Sequence, residues 1–268
     1  MQEWLGHPAV QGGGLPFVVA LVLAAALART RWLAFAQAAG FAACVTLAIG
    51  WSFESLTSTR KLAIVAVASV LLCLFVERFR TRASNVACIV LIAASSTWVL
   101  WRLLAQMDLP AALAAGLLAA AYVAWLTGSS LKASADPVRG AAAGAALGFG
   151  TGVLAILGAS AVLGVAALAA GSAAAATLVV QALRNSPSPV ERSISLPAVT
   201  AAALAGTAAV MTAELPGYAL LPMLAVPPAT LLARPAGAFR RGALAFVFAL
   251  VPAAIAVALA WFRPAALT

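Results

Sequence analysis

The chain has 268 residues, of which 65% are hydrophobic and only 9% charged, and its net charge is +9. With a mean hydropathy of +1.07, it is excluded from the soluble globular class. One His and seven acidic residues leave little for soluble-enzyme chemistry, and the basic residues sit between apolar runs. They therefore read as orientation signals and anionic-lipid contacts, with no nucleic acid called for.

The pattern predicts an all-α, polytopic membrane bundle of about ten spans. The N-terminal residues Met1 to Pro8 carry no basic n-region, so span one, about Val10 to Ala28, is expected to be a retained helix. Gly12, Gly13 and Gly14 loosen its start, and Pro16 suits a first turn beyond them. Span two covers about Trp32 to Phe53. Span three, Leu62 to Val76, is short unless it extends back through Thr59 with Arg60 and Lys61 snorkelling outward. Span four runs about Ala83 to Trp101 and span five about Leu109 to Thr127. A polar stretch, Gly128 to Arg139, then reads as the linker between a first half (1–128) and a second half (140–268).

Gly140 to Leu183 contains 44 residues without a charge. One helix of that length is roughly twice the thickness of a bilayer core, so it must be two passes, and Gly158-Ala159-Ser160 is the turn. Gly140, Gly144, Gly148 and Gly152 recur every four residues along the first pass. Each step rotates about 40° beyond a full turn, so a smooth strip winds around the helix for a partner to approach closely. That partner is either a helix of the same chain or another protein, through a dimer face or a sliding seam.

Arg184 to Ser195 forms a second polar loop. Span eight covers about Leu196 to Ala213. Span nine, Pro216 to Ala233, carries Pro222, Pro227 and Pro228 and should be kinked or broken. Span ten, Gly242 to Phe262, contains Pro252. Twelve of the sixteen Lys and Arg fall on the connections after the odd-numbered spans. That excess marks the cytoplasm and puts both termini outside. Merging spans six and seven would equalise the two sides, so charge supports two passes independently of length. Five spans on each side of the linker would orient the halves oppositely, as in an inverted repeat. Arg outnumbering Lys 14 to 2, with abundant Ala, suggests a bacterial inner membrane.

Ionisable residues at depth mark function in membranes, and few qualify. Glu54, Arg60 and Lys61 flank a Ser/Thr-rich link and could line an outer vestibule. Glu214 precedes the proline-rich span nine and is the first candidate for a solute or ion site. Ser95, Ser96 and Thr97 form a polar run in span four, below Trp98, Trp101 and Arg102. Gln37 and Gln181 could pair between helices. Cys44, Cys73 and Cys88 are scattered through apolar spans, which argues against a metal or disulfide role. No phosphate-binding loop, HExxH or Gly-x-Ser-x-Gly occurs, and no cofactor or enzymatic role is expected. Two functions fit: a small secondary permease for a small solute, or a noncatalytic scaffold or accessory subunit. Its partners would be the bilayer and a second membrane protein or a copy of itself.

Overall fold

The computed structural model describes His7 and residues 9–30, 32–50, 56–184, 194–234 and 237–262. Most of these residues are helical, with no strand among them. In order they form α1 (Val10–Leu27), α2 (Leu33–Cys44, continued by a π turn Val45–Ile49), α3 (Ser58–Phe79), α4 (Arg82–Leu104) and α5 (Leu109–Ala133). Next come α6 (Pro137–Leu157), α7 (Ala161–Arg184), α8 (Leu196–Thr212), an interrupted α9 (Gly217–Leu232) and α10 (Ala238–Trp261). Seven of these, α1, α3 to α7 and α10, are long and apolar enough to cross a membrane.

Several boundaries differ from those read in the sequence. Helix α5 continues to Ala133 and α6 begins at Pro137, so most of the polar stretch is helical and only Ser134, Ala135 and Asp136 connect the two. Ser and Lys suit the end of a helix as well as a loop, which is why composition alone misplaced the boundary. Helix α3 is unbroken from Ser58, capped by the Thr57 side chain on the Arg60 amide, and is neither short nor discontinuous.

The apolar stretch from Gly140 turns back where expected. Helix α6 ends in a Schellman motif: the Ser160 amide donates to the Ala155 carbonyl and the Ala159 amide to that of Ile156. Ala159 takes the left-handed conformation, with φ 64°. Glycine is the usual residue there, but Gly158 stands one position earlier for a different reason. A Cβ on Gly158 would lie 2.9 Å from the Leu215 Cβ, so its missing side chain admits the next connection.

Helix α8 is the axle of the bundle. Every residue from Leu196 to Ala209 is buried, and α2 to α7 all pack around it. A helix apolar on all faces has no solvent side, and alanines keep its cylinder thin. Helices α6 and α7 make the closest pair: a Cβ on Gly148 would fall on the backbone of Gly171, and one on Gly152 would meet Leu168. Gly144 faces Ala198 and Ala174, and Gly140 faces Ser134. All four glycines are buried inside this chain, so the strip is not an exposed face for a partner.

Side-chain contacts sort the connections onto two ends. Arg184 donates to the Ala25 carbonyl, Ser134 pairs with Ser195, and Asp136 pairs with Arg241, which gathers the ends of α1, α5, α7, α8 and α10. One cleft brings Trp32 beside Arg78 and Arg80, and another brings Asn85 beside Lys132. The α1–α2 and α3–α4 turns therefore share this basic end. At the opposite end the Glu214 amide donates to the Gly158 carbonyl, 3.0 Å away, joining the α6–α7 and α8–α9 turns.

The Gly148 contact leaves no room for relaxation, because backbone cannot rotate aside as a side chain can. Gly148→Leu is expected to lower the melting temperature in detergent sharply, a loss above the about 1–3 kcal/mol typical of overpacking. Ala159→Gly should instead raise it, by relieving about 1 kcal/mol of left-handed strain. Thermal unfolding of the two variants in parallel checks both signs.

Candidate functional site

Proline chemistry organises the region that differs most from a plain bundle. Helix α9 is a chain of short pieces: 3-10 turns at Gly217–Leu220 and Pro222–Ala225, one α turn at Val226–Ala229, and a 3-10 turn at Thr230–Leu232. Pro227 and Pro228 stand three and four residues after Leu224, so neither the 3-10 nor the α donor to the Leu224 carbonyl exists. The indole N–H of Trp125, on α5, supplies it at 3.0 Å. Thr230 Oγ1 donates to the Pro227 carbonyl at 2.7 Å, and Arg139, on α6, donates to the Ala233 carbonyl at 2.6 Å. Side chains of two neighbouring helices thus take up one carbonyl inside α9 and one just past its end, as lipid cannot.

Deeper in the same region, α5, α6, α8 and α9 converge on Gly206. The point where a side chain on Gly206 would begin lies 3.6 Å from Tyr122 Oη, 3.4 Å from Thr151 Cγ2 and 3.4 Å from Leu220 Cδ2. Tyr122 Oη and Thr151 Oγ1 are buried and have no hydrogen-bond partner. Gly206 lies about 15 Å from the start of α8 and about 9 Å from its end, at 1.5 Å per residue. This is well inside the helical layer.

The residues singled out in the sequence lie elsewhere. Glu214 is exposed in the α8–α9 turn, held through its backbone amide to Gly158. Glu54 lies outside the described residues. Arg60 is partly buried in the first turn of α3. Lys61 turns inward: only 7% exposed, it donates to the Trp98 carbonyl at 3.0 Å and sits 5.1 Å from the centre of the Trp98 ring. Its charge is met by a cation–π contact and a helix carbonyl, so it ties α3 to α4 and does not snorkel outward. Ser95, Ser96 and Thr97 each donate to the carbonyl three residues back, at 2.6 Å, which spends their hydroxyl protons on their own helix. Gln37 bonds Thr177 Oγ1 at 2.8 Å, one turn short of the expected Gln181.

Two features were missed in the sequence. Asp136 caps α6 through the Val138 amide at 3.1 Å and pairs with Arg241 at 2.6 Å and Arg139 at 3.8 Å. The signal available was the Asp-Pro start of a helix, which marks a cap but cannot reveal a partner 105 residues away. The Tyr122–Thr151–Gly206 meeting had no local signal at all. Among the described residues, no group of three His, Cys, Asp or Glu could hold a metal.

Comparison with known proteins returned no match to a family model, a curated protein or a solved structure.

Trp125→Phe keeps the ring but removes the donor to Leu224. It is expected to cost about 1 kcal/mol or more of stability, because the carbonyl is left without a partner in lipid. Trp98→Phe, which removes no donor to α9, should cost less at the α5–α9 contact. Hydrogen exchange of the peptides covering α9 checks this, with faster exchange expected for Trp125→Phe alone.

Proposed function

We propose that this chain crosses a bacterial inner membrane ten times and acts as a small secondary permease. Seven helices satisfy the length of a crossing outright. The three shorter ones come close by geometry. Helix α8, with 17 residues, and α2 with its π turn each extend about 26 Å at 1.5 Å per residue. Helix α9 extends about 28 Å, because 3-10 turns rise about 2.0 Å per residue. Each approaches the about 30 Å of a hydrocarbon core.

The ends support the same layout. The connections after the odd-numbered helices share the basic end, where twelve of the sixteen Lys and Arg lie in sequence. By the positive-inside rule that end faces the cytoplasm and both termini lie outside. The two halves would then have opposite orientations, as an inverted repeat requires.

The observation that carries the permease reading is the interrupted α9 beside buried, unpartnered hydroxyls of Tyr122 and Thr151. Secondary transporters place discontinuous helices and polar groups together within the membrane. A scaffold needs neither. The scaffold reading keeps two observations in its favour: the close Ala/Gly packing of α6, α7 and α8, which suits a rigid body, and exposed aromatic side chains near helix ends, among them Trp101, Trp261 and Phe262. The exposed glycine face that would dock a partner is absent among the described residues, because the strip is buried.

Two measurements test the proposal. With Cys44, Cys73 and Cys88 buried as a quiet background, Ala159→Cys should react with an impermeant maleimide in intact cells, and Ala135→Cys only after lysis. The reverse pattern would overturn the orientation. Affinity purification in mild detergent should yield this chain without a stoichiometric foreign protein. Such a protein would replace the permease by the accessory-subunit reading.

A further inference from the structure

Hydroxyls in this bundle follow a rule, and the exceptions are grouped. Ser69, Ser96, Thr177 and Thr207 are buried in helices and donate to carbonyls three or four residues back. That is the default for Ser and Thr in an apolar helix, where no water competes. Thr127, Ser130, Thr151 and Thr200 are equally buried, each at most 1% exposed, and their oxygens have no partner. With the Tyr122 hydroxyl, these exceptions fall on α5, α6 and α8 alone, three helices packed against one another. Thr127 and Ser130, on α5, and Ser134, the residue just past its end, follow at spacings of three and four along one side. Ser134 meets Ser195, at the start of α8, at 2.7 Å.

Charge tells the other half. Among the described residues, every charged side chain lies in a connection or in the first or last turn of a helix. An ion at the depth of Tyr122 would find no countercharge among these residues, and a buried unpaired ion is far costlier than a neutral polar group. A hydroxyl both donates and accepts, so this set suits a molecule that does the same.

Resting on the permease reading, we infer that the α5–α6–α8 seam conducts a small uncharged, hydrogen-bonding solute downhill, without a coupling ion. The hydroxyls of Ser130, Thr127 and Thr200 lead from the basic end toward Tyr122 and Thr151. Gly206 stands between the last two, the point where its side chain would begin lying 3.6 Å from Tyr122 Oη and 3.4 Å from the Thr151 methyl, with Leu220 of α9 also 3.4 Å from it.

The test uses the full chain in liposomes, with reswelling followed by light scattering. Glycerol and urea are the uncharged probes and potassium formate the charged one, each with and without an imposed potassium diffusion potential. Glycerol or urea should enter well above the protein-free rate, unchanged by the potential, and formate should not. Thr151→Val and Tyr122→Phe should slow entry by about tenfold each, the effect of one lost hydrogen bond of ordinary strength. Thr151→Ser should restore it, and Gly13→Ala, at a position with open space around it, should leave it unchanged. Only variants that stay monodisperse with a wild-type melting temperature are scored, and Thr151→Ser reports separately on the hydroxyl. Entry of formate, or a rate that follows the potential, overturns the uncharged class and leaves the permease standing. Entry unaffected by Thr151→Val and Tyr122→Phe overturns the seam as the path. Failure of both glycerol and urea to enter above the protein-free rate overturns the inference, whereas the permease reading falls only if the purified chain carries a stoichiometric foreign protein.

Discussion

The contact of Gly148 with the backbone of Gly171 is what the remaining architecture is built upon. Lipid tails are as apolar as any side chain here, so burying leucine gains nothing from leaving lipid. Helices hold together by touching along many atoms, and two glycines facing each other permit the shortest approach. Once α6 and α7 are seated this closely, a groove of small residues remains along the pair. Only a thin helix can fill it, and α8, alanine on every face, does so. Helices α2 to α5 then enclose α8, while α1 covers α7 and α10 covers α6.

The second constraint is that every backbone polar group must find a partner inside the protein. Helix α9 shows how far that reaches. Two adjacent prolines remove both possible donors to one carbonyl, and the chain answers with an indole from α5. An arginine of α6 holds the carbonyl at the far end of α9, and the aspartate beside it holds an arginine of α10. The interrupted segment is therefore pinned at its middle and at its basic end. Where polar groups near it lack partners, as at Tyr122 and Thr151, the bundle departs from its own rule, and that departure is the reason to look for a solute there.

Charged residues made poorer guides than hydroxyls. Glu214 and Lys61 attract attention because ions are rare in this chain. Glu214 is exposed in a turn and Lys61 packs on a tryptophan. The groups at depth are uncharged, and nothing in their spacing sets them apart from the many serines and threonines that bond to their own helix.

What the sequence by itself determined is what depends on neighbours along the chain. Hydropathy marked where helices run, length demanded a reversal between Gly140 and Leu183, and proline positions required α9 to break. Those are local consequences of backbone chemistry, and they need no partner to be read. Tertiary structure alone decided which face of each helix is inside. An alanine-rich helix carries almost no amphipathic pattern, so the sequence could not say whether the glycine strip meets α7, a second protein or lipid. Nor could it say that Asp136 would meet Arg241, or that Tyr122, Thr151 and Gly206 would share one point. Those meetings depend on how thin cylinders stack, and stacking is settled by shape across long separations in the chain.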